Sequence, residues 1–333
     1  MTVARILHFE ARLHDAWILI DEISLIPIDT LGMLARMLLV GAKFVCFGDF
    51  DGQFEAMRDR WDEPYSKVEH SECMKDMCNG VHVHLDTYWR GTDRPLFDFY
   101  TGLYQESDEE LPFLVQQARE LYPVRMASPV DFDIILCISH AHRMLVNRLQ
   151  NEAKARIYEQ TGTTYFVEWE GEDIQGATCQ PQSMIIWEGM ELIGCPRGTG
   201  KHHHGIVQGV VYRVARVDET NVTLEMNPEY QRETQGEDED DDDLANAPET
   251  VNMPLTDVPR VLRLTHAMCY FTVQGRTLRD KHLLLLDTAH SHFSRRALVV
   301  GMSRATHGSF VHVASNEYEQ FITGRRRKVI ARI

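Results

Sequence analysis

The chain has 333 residues, of which 44% are hydrophobic and 25% are charged, a composition typical of a globular protein with about two domains. No apolar run reaches the roughly 18 residues of a membrane-spanning helix, and charged residues follow the first methionine too soon for a signal peptide. The formal net charge of −16 disfavours a protein that coats nucleic acid, although net charge does not report the polarity of a single groove.

The first part of the chain alternates short apolar runs with helical patterns, which is typical of α/β proteins. We predict strands at 17–20, 43–47, 82–85 and 132–139. Apolar residues recur at helical spacing in four other segments. We therefore predict helices at 30–40, 95–105, 111–121 and 141–157.

After about residue 160 the apolar runs become short and are separated by glycines and polar turns, which predicts a small antiparallel β-barrel. Its strands are predicted at 165–169, 183–187, 190–193, 206–217 and 222–226. Residues 227–250 are acidic and rich in turn formers, with seven consecutive acids at 237–243, and predict a disordered loop. The α/β pattern resumes at residue 261, with strands at 282–286 and 310–314.

The 7 cysteines include no C-x-x-C pair. This pattern argues against a disulfide framework and fits a reducing intracellular compartment, the nucleus or the cytoplasm. A group of His and Cys residues suggests a zinc site, but its spacing matches no common zinc finger. The members of that group are His70, Cys73, Cys78, His82 and His84.

The first motif is I-L-I-D-E-I-S-L-I at 18–26, an apolar strand that delivers Asp21 and Glu22 at its carboxyl end. Open α/β sheets bind ligands at this end of their strands. In nucleotidases of the P-loop type, such an Asp holds Mg²⁺ and the Glu polarises the attacking water. The alternative is a strand followed by a solvated acidic turn.

The second motif, F-V-C-F-G-D-F-D-G-Q-F at 44–54, is another strand that ends in Gly-Asp, with Gln53 four residues beyond Asp49. A side-chain amide both donates and accepts hydrogen bonds, so Gln53 could contact a γ-phosphate. The third motif, L-D-T-Y-W-R-G-T-D-R-P at 85–95, offers Arg90 to a phosphate. The alternative for Arg90 is packing on a neighbouring aromatic ring.

The fourth and fifth motifs are L-T-H-A-M-C-Y-F-T-V-Q-G-R-T-L at 264–278 and A-L-V-V-G-M-S-R-A-T-H-G at 297–308. The fifth motif places Arg304 at the edge of a sheet. A guanidinium there can neutralise the charge that develops during phosphoryl transfer. Taken singly, each stretch also fits an ordinary strand-to-helix junction.

These five motifs, in this order, resemble the superfamily 1 DNA helicases, most closely the 5′-to-3′ branch that contains the Pif and RecD families. I-D-E-I-S is similar to their motif II, G-D-F-D-G-Q to motif III and Y-W-R-G-T-D to motif IV. F-T-V-Q-G-R-T-L is similar to motif V and V-G-M-S-R-A-T to motif VI. The resemblance covers nearly the whole chain.

The resemblance implies a role for each motif residue. Asp21 would bind Mg²⁺, Glu22 would be the catalytic base and Gln53 would sense the γ-phosphate, while Arg90 and Arg304 would act as arginine fingers. Further residues would bind the nucleotide or couple it to DNA. The nucleotide group is Asp49, Gln274 and Gly275, and the coupling group is Thr272, Thr277 and Ser303, with Gln274 and Gly275 also contributing to coupling.

The implied fold class is α/β, with two RecA-like parallel-sheet lobes, the first incomplete, and a small inserted antiparallel β-barrel. ATP would bind between the lobes. The expected divisions are 1–80 for the C-terminal half of the first lobe, 81–182 for a linker and the first half of the second lobe, 183–258 for the barrel with an acidic loop at 233–250, 259–316 for the rest of the second lobe, and 317–333 for a basic tail.

The sequence departs from the family in three places. Phe271 and Thr272 stand where the family usually has His-Lys, and Phe54 and Glu55 replace the proline that commonly follows the motif III Gln. No Walker A loop, G-x-x-x-x-G-K-[ST], precedes Asp21. The near-match C-P-R-G-T-G-K-H at 195–202 lacks the first Gly and the hydroxyl, so we predict a hairpin loop there.

The leading hypothesis is therefore an ATP-dependent DNA helicase, or a C-terminal fragment of one, with ATP and Mg²⁺ as cofactors and a role in DNA replication or repair. Its partners would be single-stranded DNA or DNA junctions, and either a missing N-terminal half or a partner protein. The alternative is a non-catalytic helicase-like module that binds nucleic acid or protein. An RNA helicase of viral type is disfavoured by the form of motif VI.

Overall fold

A computed structural model describes residues 14–55, 68–85, 87–105, 107–171, 180–196, 204–227 and 249–323. The acidic run at 237–243, positions 324–333 of the expected basic tail at 317–333 and most of the near-match at 195–202 lie outside these residues. The described helices include none that is both long and apolar enough to cross a membrane.

The described residues form an α/β protein. Its helices are α1 (Ile28–Ala35), α2 (Glu72–Met77), α3 (Arg94–Gly102), α4 (Leu111–Leu121), α5 (His140–Tyr158), α6 (Val258–Val261), α7 (Arg295–Ser303) and α8 (Asn316–Ile322). Its strands are β1 (Trp17–Ile20), β2 (Lys43–Cys46), β3 (Ile134–Cys137), β4 (Tyr165–Val167), β5 (Met184–Ile186), β6 (Glu191–Gly194), β7 (Val211–Val217), β8 (Asn221–Met226), β9 (Thr250–Pro254), β10 (Leu262–Leu264), β11 (Ala267–Cys269), β12 (Leu283–Leu285) and β13 (Val311–Val313).

The chain divides into two compact units, each assembled from separate segments. The first unit contains Met1–Tyr122, Tyr270–Lys281 and Thr288–Val311, and the second contains the intervening segments and the C-terminus. This division does not test the domain boundaries expected from the sequence, which stay predictions.

In the first unit, β1 and β2 pair in parallel, with Ile20 opposite Cys46. Their buried faces pack against α1 and α2 in an apolar cluster that includes Leu31, Leu34 and Met74. Helix α1 ends where a 3-10 turn, Arg36–Val40, begins, so the predicted helix at 30–40 is a helix followed by a tighter turn.

The second unit contains a four-stranded sheet in the order β11-β3-β12-β13. The strands β11 and β12 both run parallel to β3, and β3 is buried at all four positions. Helix α5 follows β3. Its N-cap residue is Ser139, whose hydroxyl accepts the backbone N–H of His142. A buried strand flanked by parallel neighbours explains why the sequence of β3 is continuously apolar rather than alternating.

The predicted small barrel is not confirmed. The strands of this region form a five-stranded antiparallel sheet in the order β10-β6-β7-β8-β9 and a separate two-stranded sheet of β4 and β5. The five-stranded sheet has two ends, because no pairing of β9 with β10 is found among the described residues. Its inner face forms a large apolar cluster with residues such as Leu192, Tyr212 and Leu224.

The predicted strand at 82–85 is wrong. These residues join no sheet in the described part of the chain, and Val83 and Leu85 are 70% and 85% exposed. Alternating apolar residues require a paired strand and a core face to form a sheet, and this segment has neither. The helix predicted at 111–121 is confirmed as α4.

Candidate functional site

The carboxyl ends of β1 and β2 bring the first two motifs together. Backbone pairing continues past both strands, with Phe47 N–H donating to the Ile20 carbonyl at 2.7 Å and Ile23 N–H donating to the Phe47 carbonyl at 2.8 Å. Because parallel strands end at the same edge of a sheet, the acidic pair and the Gly-Asp turn lie at one edge, as the sequence predicted.

Glu22 lies at this edge in a backbone conformation that is rare for its residue type. Its φ is +52°, in the left-handed region that costs free energy for residues with a side chain. The neighbouring Asp21 is exposed, and its Oδ1 accepts the Glu22 N–H at 2.8 Å. Burial raises the pKa of the Glu22 carboxyl, against a hydrogen bond from Gln274 that lowers it.

The side-chain amide of Gln274 joins the first, second and fourth motifs. Its Nε2 donates to Gln53 Oε1 at 2.8 Å and lies 3.5 Å from Glu22 Oε2. Its Oε1 accepts the backbone N–H of Phe54 at 3.1 Å. The backbone N–H of Phe54 can only donate a hydrogen bond. It therefore determines which end of the Gln274 amide is the oxygen.

The residues beside Gln274 differ in their surroundings. Gly275 has a φ of +77°, and a Cβ placed there would lie 3.5 Å from Glu22 Oε1. Glycine therefore suits this position for its backbone conformation, whereas the 3.5 Å separation from the carboxylate is an ordinary van der Waals contact. Thr272 is exposed, and Phe271 stacks obliquely on Phe54 with ring centroids 5.7 Å apart.

Arg90 reaches the fourth and fifth motifs. Its Nε donates to Thr277 Oγ1 at 3.2 Å and its Nη1 donates to the Ser303 carbonyl at 2.8 Å. These polar acceptors hold the guanidinium, whereas the adjacent Trp89 is 89% exposed, which disfavours the alternative of aromatic packing. At Gly91, an added Cβ would clash with the backbone carbonyl of Thr306.

Arg304 is 1% exposed, and carbonyl and hydroxyl oxygens accept its hydrogen bonds. Nε donates to the Val300 carbonyl at 3.0 Å, Nη1 to the Arg276 carbonyl at 3.2 Å and Nη2 to Ser303 Oγ at 2.8 Å. Among the residues that the structure describes, it forms no ion pair with a carboxylate. Burial, followed by the positive charge of Arg90, lowers the pKa of Arg304 to about 10.

The carboxylate of Asp49 stabilises the turn that presents Gln53. Its Oδ1 accepts the backbone N–H groups of Asp51 and Gly52 at 3.0 and 2.8 Å. Its Oδ2 accepts the hydroxyl of Tyr104 at 2.8 Å. Burial and the charge of Asp49 raise the pKa of that hydroxyl. Both oxygens of Asp49 are thus occupied by groups of the protein itself.

Three residues that support this turn were missed by the sequence analysis. Besides Tyr104, these are Arg295 and Arg296 at the start of α7. Arg296 forms an ion pair with Glu55 at 2.5 Å and donates to the Phe50 carbonyl at 3.2 Å. Arg295 donates to the Asp51 carbonyl at 3.4 Å and to the Leu103 carbonyl at 2.9 Å. The R-R pair was visible in the sequence, but nothing local indicated its targets.

The structure brings most of the predicted site residues together in the first unit. Two guanidiniums, a half-buried carboxylate and two linked amides occur in one constellation, with an exposed carboxylate beside it. Such a set can bind an anion and a hard cation and can accept a proton. Hydrogen bonds link these members in two sets: Glu22, Gln53 and Gln274 form one, and Arg90, Thr277, Ser303 and Arg304 form the other. Gly275 lies beside Glu22, and the charges of Arg304 and Arg90 act on the Glu22 carboxyl.

No protein-family model and no curated protein matches the chain, but solved structures do. The Pif1 helicase from Candida albicans matches with a TM-score of 0.56 and 14% identity, over 97% of this chain and 80% of that chain. A Bacteroides Pif1 helicase in complex with ADP-AlF3 and single-stranded DNA matches with a TM-score of 0.53 and 16% identity, over 94% and 72%. A Bacteroides Pif1 bound to single-stranded DNA matches with a TM-score of 0.54 and 17% identity, also over 94% and 72%.

The chain therefore has the α/β fold of the Pif1 helicases over more than nine tenths of its length. RecA-like lobes are consistent with this likeness. The resemblance predicted from the five motifs is confirmed at the level of fold.

Proposed function

We propose that the chain is the part of an ATP-dependent DNA helicase that contains its hydrolytic and DNA-coupling residues. The observation that carries this proposal is the Gln274 amide, which is within 2.8 Å of Gln53 and 3.5 Å of Glu22. A residue that contacts both the proposed general base and the proposed phosphate sensor would respond to hydrolysis at the nucleotide. Solved structures with the same fold include Pif1 helicases, some of them bound to single-stranded DNA or to ADP-AlF3.

The acidic pair fits a magnesium nucleotide. Asp21 is exposed, and a carboxylate oxygen is a ligand that Mg²⁺ prefers. Asp21 would hold the ion, which neutralises phosphate charge when bound. Glu22 would accept the proton of the attacking water at Oε1, because Gln274 faces its Oε2. Its raised pKa makes it a better base than an ordinary carboxylate. Asp49, whose oxygens are occupied, would hold the turn of Gln53.

The two arginines fit an anionic group of high charge. Arg304 is buried next to a second guanidinium, that of Arg90, and both are held by neutral acceptors. Two like charges in one site repel each other, and an anion between or beside them offsets this repulsion. A γ-phosphate would satisfy both, and the arginines would stabilise the charge that develops on its oxygens.

Thr277 and Ser303 would link this chemistry to DNA through the arginines. Both contact the Arg90 guanidinium, and Ser303 is itself buried. The exposed residue of the coupling group is Thr272, two positions before Gln274. We assign the contact with a DNA strand to Thr272 and the transmission of nucleotide state to Thr277 and Ser303.

One observation favours the alternative, a helicase-like module without hydrolysis. The 333 residues contain no Walker A sequence. The near-match begins at Cys195, directly after β6, and the Cys195 N–H donates to the Val261 carbonyl at 2.7 Å. The end of a strand in an antiparallel sheet does not provide the strand-to-helix turn that a phosphate loop requires. The two functions therefore differ in whether hydrolysis appears once a phosphate loop is supplied.

The test is DNA-stimulated ATP hydrolysis after a Walker A-bearing segment is joined ahead of Met1. We expect Arg304→Ala to lower turnover by about 10³-fold, the effect of an arginine finger, with unchanged affinity for a fluorescent single-stranded oligonucleotide. Arg279→Ala, at an exposed position of the same unit, is the matched control and should retain full turnover. Equal turnover in both variants would contradict the assignment, and absence of hydrolysis with retained DNA binding would favour the module.

A further inference from the structure

We propose that the second unit contains a metal site for a borderline-soft divalent cation such as Zn²⁺, formed by Cys137, His142 and Asp287. One possible ligand atom from each residue lies within 4.8 Å of the other two. Among the residues that the structure describes, this is the one group of three His, Cys, Asp or Glu side chains with that spacing. It is separate from the hydrolytic site and does not depend on the proposed function.

Each ligand is delivered by a different element of the parallel sheet. Cys137 is the last residue of β3, His142 lies in the first turn of α5 and Asp287 follows β12. Because β3 and β12 run in parallel, their carboxyl ends open on the same edge, where α/β proteins bind ligands. The three side chains thus converge because of the topology, although 150 residues separate Cys137 from Asp287 in the sequence.

The position of Asp287 is fixed from several sides. Its Oδ1 lies 2.6 Å from His142 Nδ1, and its Oδ2 accepts the backbone N–H of Ile138 at 2.7 Å. Its own N–H donates to Glu319 Oε2 at 3.0 Å. Its φ is +60°, a conformation that Asp and Asn tolerate better than most residues. Oδ2 is held by the backbone, whereas the partner of Oδ1 is a side chain that can rotate, so Oδ1 is the oxygen that would bind a cation.

The imidazole of His142 presents one nitrogen to Asp287. Nδ1 lies 2.6 Å from Asp287 Oδ1. Because Asp287 is also a ligand, the ion binds Nδ1, on the side of the ring that faces the carboxylate. A side-chain rotation opens this contact to admit the ion, and Nε2 then carries the ring proton.

The thiol of Cys137 determines the kind of cation. Sulfur and imidazole ligands favour Zn²⁺ over Mg²⁺ or Ca²⁺, which prefer oxygen. On binding, the S–H proton leaves to solvent and the sulfur forms the metal bond. The thiolate and the Asp287 carboxylate then balance the two charges of the ion, so the nearby Arg143 guanidinium does not face an excess of positive charge.

The same three residue types form the nucleophile, base and orienting acid of some hydrolases. That function requires a substrate to reach the sulfur. Cys137 is 0% exposed, and burial raises the pKa of its thiol, so an activated thiolate is not available without a metal. A small ion can enter where a substrate cannot, because the His142 side chain is 11% exposed.

A fourth ligand completes a tetrahedral Zn²⁺ site. The fourth ligand would be either solvent water or the thiol of Cys269, which is paired in register with Cys137 on β11 and lies 3.4 Å from His140 Nδ1. The sulfur-to-metal charge-transfer absorbance of a Co²⁺-substituted protein distinguishes them, because its intensity increases with the number of bound thiolates.

The experiment titrates Co²⁺ into the metal-stripped full chain and follows the near-ultraviolet charge-transfer band and the visible bands of a tetrahedral ion. We expect saturation at one Co²⁺ per chain, displacement by Zn²⁺ and no competition from Mg²⁺. Cys137→Ser should abolish the charge-transfer band if water is the fourth ligand, or reduce it by about half if Cys269 is. Asp287→Asn, which suits the same backbone conformation, should weaken affinity by about 10-fold or more.

Cys195→Ser is the matched control, because this buried cysteine of the same unit follows β6 of the five-stranded sheet. It should bind Co²⁺ as the unchanged chain does, with the same band. Circular dichroism and thermal unfolding verify that each variant is folded. The proposal is overturned if the unchanged chain shows no sulfur band at saturating Co²⁺, or if the band of folded Cys137→Ser equals that of Cys195→Ser.

Discussion

At the scale of single residues, the Gln274 amide makes contacts that span 221 residues to Gln53 and 252 to Glu22. Its carbonyl accepts the Phe54 N–H, a bond that proline could not form because it has no N–H. Phe271 packs on the same Phe54 ring. Two of the three departures from the helicase pattern, at Phe271 and at Phe54, are far apart in the sequence. They thus meet at one contact that orients the amide of Gln274.

Glu22 gives a prediction for stability. Burial raises its pKa above the ordinary value of 4.5, so this carboxyl favours folding while protonated. That contribution is complete below the unfolded-state pKa and is lost as the pH rises through the folded-state pKa. We expect Glu22→Gln, which removes the charge but retains the shape, to raise the melting temperature at pH 7 and to lose this advantage below about pH 4.5.

Thermal unfolding followed by circular dichroism across pH 4–8 measures this difference. Glu72→Gln is the control, because Glu72 is an exposed residue of α2 in the same unit. Its melting temperature should differ little from that of the unchanged chain at every pH. A lower melting temperature for Glu22→Gln at pH 7 would show that the ionised carboxylate stabilises the fold.

At the scale of elements, the sequence predicted the strands that depend on a local pattern of apolar residues and turn formers. The strands that carry the acidic pair and the Gly-Asp turn are confirmed, because four apolar residues followed by turn formers define both the strand and its end. It could not predict the contact of Tyr104 with Asp49 or of Arg296 with Glu55, which join residues 55 and 241 positions apart (104 − 49 and 296 − 55). Tertiary packing determines those partners, and a local sequence pattern does not contain that information.

The close approach at Gly91 gives a second prediction. A Cβ there would clash with the Thr306 carbonyl, and backbone atoms cannot rotate away as a side chain can. We expect Gly91→Ala to lower the free energy of unfolding by about 1–3 kcal/mol and to displace the adjacent Arg90 from Thr277. Urea denaturation measures the stability of the variant.

Gly102→Ala is the matched control for this substitution. Gly102 is the last residue of α3, and a Cβ there would meet nothing within 4 Å. Alanine in place of a helical glycine should raise stability by about 0.4–1 kcal/mol. Equal effects of the two substitutions would contradict the close approach of the segment around Arg90 to the backbone of Thr306.

At the scale of the whole molecule, charge governs the expected affinity for DNA. The seven acids at 237–243 account for almost half of the formal charge, since −16 + 7 = −9. Non-specific binding of DNA is dominated by charge and falls with salt. We expect deletion of this run to strengthen binding to a fluorescent single-stranded oligonucleotide, with the largest gain at low salt. Anisotropy titrations at several salt concentrations measure it.

The control replaces the run with an equal number of serines and glycines, which preserves length and removes charge. It should bind as the deletion does if charge is the cause. If neither variant differs from the unchanged chain at low salt, the run does not repel the strand. Binding that is insensitive to salt in every variant would contradict an electrostatic contribution altogether.

Because the first unit is assembled from separate segments of the chain, its site residues are synthesised at different times on the ribosome. Glu22, Gln53 and Arg90 are synthesised early, but Gln274 and Arg304 belong to segments that follow Pro123–Cys269. At typical rates of synthesis, that intervening stretch takes on the order of 10 s to appear. During this interval the nascent chain holds Glu22, Gln53 and Arg90 without the side-chain amide of Gln274 and without the buried guanidinium of Arg304. The site is therefore assembled late in translation, after most of the second unit has emerged.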